Sequence, residues 1–217
     1  MEKAVLLSTN PFWCDKMCTV IGHDEKFNLI YEKSVEIRKT RPKIETPFKV
    51  YIYCTLQRSN EFFQSLKNRY GEYEALSKWN REKWNLKKGK VIGEFMCDEI
   101  TYLGNVSTDP WCALMGDVHE WHKKLVTKYA CLTEEELLKY GGKYAWHISN
   151  LVIYDKPRDL SEFKTLCTDF YDGKHCDECE YFIDGRGYEY DESDCGCDGL
   201  KPLKRPPQSW CYVEEIS

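Results

Sequence analysis

Apolar and polar positions alternate over short stretches in this chain, and the period changes several times along its length. Ala4 to Ser8 is a nearly continuous apolar run that predicts a first strand. Thr9-Asn10-Pro11 then supplies the cap and first-turn residues of a short helix through Phe12, Trp13, Cys14 and Met17. Gly22-His23 interrupts that pattern. After Phe27 to Tyr31 comes Lys33-Ser34-Val35-Glu36-Ile37-Arg38, where alternation puts Ser34, Glu36 and Arg38 on one face of a strand and Val35 and Ile37 on the other. A turn at Pro42 leads into a strand from Lys49 to Cys54.

Residues 60–86 carry Phe62, Phe63, Leu66, Tyr70, Tyr73, Leu76 and Trp79 at loosely helical spacing, which predicts one or two helices outside a sheet, or a lid over a cleft. Val91 to Ile100 is a strand whose Gly93 suits a bulge or sharp curvature. Thr133 and Glu136 form a capping-box pattern ahead of a short helix that Gly141-Gly142 stops. Tyr144 to Tyr154 reads as one strand, Pro157 to Phe163 as a turn and brief helical segment, and Gln208 to Val213 as a closing strand. Short strands with interspersed helices predict an α+β mixed barrel in preference to a doubly wound sheet.

The length, 217 residues, suits one domain spanning 1–217 and suffices for a buried core. The stretch from Asp172 to Lys204, rich in Asp, Gly and Cys, is the least core-like, and residues 167–205 are expected to be an insertion. A net charge of −5 argues against non-specific duplex binding. The charge is nevertheless polarised, with Arg38, Lys39, Arg41 and Lys43 in one basic cluster and Lys78 to Lys90 in another. The N-terminus lacks the features of a secretory signal and no apolar run approaches the roughly 18 residues needed to span a bilayer, so the expectation is a cytoplasmic chain without a membrane partner.

Most of the twelve cysteines are expected to be reduced, with Cys54 and Cys97 serving as small buried hydrophobes. Cys176-x2-Cys179 and Cys195-x-Cys197 are different, because two close thiolate pairs can meet around tetrahedral zinc. Such a site would be structural, since four cysteines leave no open position for water. Cys167 and His175 are substitute ligands, and disulfides or free thiols are the other readings. His119 and His122 share the spacing of one helical face but lack an evident third ligand. His147 beside Trp146 reads as a hydrogen-bonded strand histidine.

Glu36 and Arg38 on one strand face can hold a planar polar ligand, since carboxylate and guanidinium both make directional hydrogen bonds. The same pair could instead be a surface salt bridge of small consequence.

Asn10-Pro11-x-Trp13, Glu32-Lys33-Ser34-Val35-Glu36-Ile37-Arg38-Lys39, Val50-Tyr51-Ile52-Tyr53-Cys54-Thr55, Gly89 to Phe95 and Tyr144 to Ile148 together resemble, in order, the ASCH domain family of the PUA-like superfamily, especially members from phages and their bacterial hosts. The likeness covers most of residues 3–165, resumes near Pro207 to Trp210, and leaves the cysteine-rich knuckle outside. It implies a PUA-like curved mixed β-barrel with surrounding helices and a cleft containing the Lys-x-x-Glu-x-Arg strand. It also implies association with RNA or modified bases; a few members are enzymes, including an amidohydrolase of N4-acetylcytidine and ribonucleases. In the amidohydrolase members a threonine stands where this chain has Glu36, so the hydroxyl nucleophile of that scheme is missing, and Ser34 does not replace it by position.

The expected function is therefore binding of single-stranded RNA or a modified nucleobase in a cleft lined by Lys33, Glu36 and Arg38. Trp13, Tyr53, Trp111 or Trp146 would stack the base and Arg38 or Arg41 would grip a phosphate or carbonyl. One alternative is hydrolysis of an acylated nucleobase, with Glu36 as general base and Lys33 stabilising negative charge. Another is a protein-interaction module with the knuckle as contact surface.

Overall fold

The computed structural model describes residues 2–56, 64, 67–68, 71, 87–103, 124–166 and 199–216. In chain order the elements are β1 (Lys3–Thr9), α1 (Pro11–Cys18), β2 (Val20–His23), β3 (Leu29–Tyr31), β4 (Val35–Arg38), β5 (Phe48–Cys54), β6 (Lys90–Cys97) and β7 (Ile100–Tyr102). A π-helical turn (Leu125–Tyr129), α2 (Glu134–Tyr140), β8 (Tyr144–His147), β9 (Ser149–Asp159), a 3-10 turn (Leu160–Glu162), β10 (Lys164–Leu166), β11 (Leu200–Pro202) and β12 (Trp210–Glu214) follow.

β1 and β5 read as apolar runs because they are buried on both faces, the environment of a central parallel pair. Around them a five-stranded sheet runs β12-β1-β5-β6-β9. Val5, Leu7, Val50, Ile52 and Cys54 face one core, covered by Phe12, Cys14 and Met17 of α1. Ala4, Leu6, Tyr51 and Tyr53 face another, closed by Phe163 and Val213. The Asn10 side chain accepts the Trp13 N–H at 3.1 Å with Pro11 in the first turn, so α1 starts where the sequence puts it.

A second sheet, β4-β8-β7, places Val35, Ile37 and Ala145 against Val126 of the π-helical turn and Leu137 of α2, forming a third core. α2 carries the reciprocal capping box of Thr133 and Glu136, and Gly141 ends it in the left-handed region at φ 68°.

The expectation of a curved barrel is corrected. Mixed sheets with helices are present, so the α+β class stands, but the five-stranded sheet ends on β12 and β9 and the β4-β8-β7 sheet is separate; no closed or strongly curved barrel forms among the described residues. Closure requires every edge strand to find a partner. Here the chain changes sheets at Ile148, so the expected single strand from Tyr144 to Tyr154 is two strands. Ile148 is buried and donates its N–H to the Ser34 carbonyl at 2.9 Å, and Asn150 turns through φ 48°.

The expectation of structural zinc is also corrected. Tetrahedral zinc needs its ligands gathered at one point, and among the described residues no group of three or more His, Cys, Asp or Glu could hold a metal ion. Cys176, Cys179, Cys195 and Cys197 lie outside the described residues, as do Cys167, His175, His119, His122 and Trp111. Cys14, Cys18, Cys54, Cys97, Cys131 and Cys211 are not joined in disulfides, and Cys54 and Cys97 are fully buried. No helix among the described residues is long and apolar enough to cross a membrane.

Candidate functional site

The chain enters β4 through two hydrogen bonds that fix its direction, Lys33 N–H to the Lys16 carbonyl at 3.1 Å and Ser34 N–H to the Tyr129 carbonyl at 2.9 Å. Alternation then sends Val35 and Ile37 into the third core and leaves Glu36 and Arg38 on the opposite face. All three charged residues are buried, with Lys33 2%, Glu36 5% and Arg38 7% exposed.

Burial of three charges costs several kcal/mol per ion unless each is paired and hydrogen-bonded. Glu36 meets both cations, one oxygen 3.2 Å from Lys33 Nζ and the other 2.8 Å from Arg38 Nη2. Lys33 Nζ also donates to the Ala130 carbonyl at 2.9 Å and lies 5.0 Å from the centroid of the Trp13 ring. Arg38 Nη2 donates to the Ser8 carbonyl at 2.8 Å and to Thr9 Oγ1 at 3.3 Å. Arg38 Nε is buried with no hydrogen-bond partner among the described residues.

This row forms the floor of a cavity of about 480 Å³, within the range of roughly 300–1,000 Å³ typical of small-ligand sites. Trp13 of α1 and Tyr140 of α2 supply aromatic wall, Leu132 and Ile37 supply apolar wall, and Ser8, Thr9, Asn10, Glu136 and Lys139 also line it. Burial pushes the Tyr140 phenol above its ordinary value and Arg38 beside it acts the other way, so at neutral pH the hydroxyl is protonated and can donate. Behind the floor, burial and the neighbouring Cys54 thiol push the Cys14 thiol well up, which makes it a poor nucleophile. The floor carries two cations against one carboxylate, so its net field favours acceptor atoms or negative charge on a ligand.

Of the residues singled out in the sequence, the structure brings together Trp13, Lys33, Glu36 and Arg38. Trp146 lies opposite Glu36 in register, yet its ring is fully buried in the main core against Phe48 and Trp210. Tyr53 is buried in the cluster on the other face of the five-stranded sheet. Arg41 is exposed and lines a neighbouring groove instead. His147 is at the surface, Nδ1 2.7 Å from the Asp98 carboxylate. Glu136 reaches the cavity lining, but its carboxylate accepts the Thr133 N–H at 2.8 Å.

Ser8, Thr9, Leu132, Lys139 and Tyr140 were not singled out by sequence reasoning. Ser8 and Thr9 end the apolar run of β1, where two hydroxyl residues interrupting a buried strand are a polar-site signal. Tyr140 sits at the predicted helix stop, with nothing in its local pattern to say which way the ring faces.

No family model matches the chain, and no curated protein matches it. Among solved structures it is distantly similar to the crystal structure of a mutant ASCH protein from Zymomonas mobilis. The identity is 13%, the match covers 98% of this chain and 91% of that one, and the TM-score is 0.44.

Proposed function

We propose that the cavity binds a planar, hydrogen-bonding ligand of nucleobase size, either as a modified nucleoside or as a base turned out of single-stranded RNA. The observation that carries this reading is the buried Lys33, Glu36 and Arg38 row that lines one cavity with the half-buried Trp13 ring. A base has flat faces to lay against an aromatic wall and edge atoms that match a guanidinium or carboxylate.

Hydrolysis of an acylated base is the second reading, because Lys33 and Glu36 converge at 3.2 Å on the same floor. Binding fits better. A general base must take a proton from water, and each Glu36 oxygen already faces a cation.

Titration of the four ribonucleosides and N4-acetylcytidine, with mass analysis of the recovered ligand, tests both readings. Expected is saturable binding with unchanged ligand mass, abolished by Arg38→Ala. Trp13→Ala should weaken it by the roughly 1–3 kcal/mol of one base-stacking contact. A changed mass makes the protein a hydrolase, and wild-type binding that survives both substitutions moves the ligand elsewhere.

A further inference from the structure

The loop that follows β4 builds a second groove of about 980 Å³. Among the described residues, Lys39, Arg41 and Lys43 from the loop and Lys143 from the turn before β8 set four cations against one carboxylate, Glu45. All four cations are exposed. Among the described residues no ion pair neutralises any of them. In a chain of net charge −5 this is a local concentration of positive charge, which attracts a polyanion.

The groove adjoins the first cavity through specific contacts. Lys39 Nζ lies 5.2 Å from the centroid of Tyr140, a wall residue of that cavity. The Lys143 N–H donates to the Arg38 carbonyl at 2.9 Å. The loop is also pinned to β12, with Trp210 Nε1 donating to Thr40 Oγ1 at 3.1 Å and the Lys43 N–H donating to the Tyr212 hydroxyl at 2.6 Å. Its cations are therefore displayed from a held backbone. Lys39, Arg41 and Lys43 recur at every second position of the loop, and positive charge repeated along a chain segment suits repeated negative charge better than a single anion.

Resting on the nucleobase reading of the cavity, we propose that this groove holds the phosphodiester backbone of a single nucleic-acid strand whose base occupies that cavity. The ligand is then a strand and not a free nucleoside. Phosphate contacts would position the strand and the cavity would choose the base.

The test compares each of the five nucleosides with a pentaribonucleotide carrying the same base at the centre of uridines. Wild type and the double variant Arg41→Glu with Lys43→Glu are titrated at low and moderate salt, and circular dichroism confirms that the variant is folded. Expected is a pentamer at least tenfold tighter than its nucleoside at low salt. Three neutralised phosphates predict that its affinity falls about 20-fold between about 50 and 200 mM salt. The double variant should lose the gain while nucleoside affinity stays unchanged. A pentamer no tighter than its nucleoside, a gain that survives the double variant, or displacement by polyglutamate as effective as by RNA overturns the strand proposal and leaves the cavity reading intact. Pentamer binding without any nucleoside binding, unaffected by Arg38→Ala, overturns the cavity reading and with it the placement of the strand.

Discussion

Glu36 holds one cation at each carboxylate oxygen, Lys33 at 3.2 Å and Arg38 at 2.8 Å, in a buried setting. Truncating it leaves two neighbouring cations with no anion between them, and breaking a buried pair in this way costs about 3–5 kcal/mol. Glu36→Ala is expected to lower the unfolding free energy by that amount in a urea titration, and Glu36→Gln, which keeps an oxygen for one cation, by less. A loss below about 1 kcal/mol is what a solvated pair would give, and would mean that the ionic floor does not form as described. Glu36 and Arg38 were legible in the sequence because strand alternation is a local rule. Lys33 precedes the strand, and its arrival at Glu36 depends on the backbone bonds that Lys33 and Ser34 make to Lys16 and Tyr129.

β6 shows what one residue decides for a whole element. Gly93 pairs with Ile52 on one side and Ile153 on the other, with register shifts on both sides of the strand. A Cβ at Gly93 would collide with the Val152 carbonyl oxygen and press on the Ile153 side chain. Backbone cannot yield as a flexible side chain does, so Gly93→Ala is expected to cost about 1–3 kcal/mol. Slower hydrogen exchange in β9 of that variant than in wild type would contradict this account. The sequence marked Gly93 as a bulge or bend, and the strand register shifts beside it without barrel curvature. It also joined β8 and β9 into one strand, because nothing in Ile148-Ser149-Asn150 shows that the Ile148 N–H leaves for Ser34.

At the scale of the whole molecule, buried thiols and phenols tie stability to alkaline pH. Burial pushes the Cys97 thiol from its ordinary 9.0 up to about 12 and the Cys211 thiol up to about 11. It also raises the phenols of Tyr51, Tyr53 and Tyr140. These groups stay neutral in the fold and ionise first in the unfolded chain. Their contribution is therefore complete below about pH 9 and falls as pH rises through 11 and 12, by at most about 1.4 kcal/mol per pH unit for each group. Urea midpoints measured from pH 8 to 11 should decline, and less steeply in Cys97→Ala; a flat profile would show that these groups are solvated. Local sequence alone set β1 and β5 as strands, the capped starts of α1 and α2, the glycine stop of α2 and the polar face of β4. Each of these follows from backbone preference or side-chain period within a few residues. Long-range packing keeps the sheets separate and turns Trp146 into the core. It also brought Ser8, Thr9, Lys33 and Tyr140 to the same cavity as Glu36, and set the basic loop beside it. Those outcomes depend on which distant strands pair and where the chain crosses between sheets, and no local pattern encodes that choice.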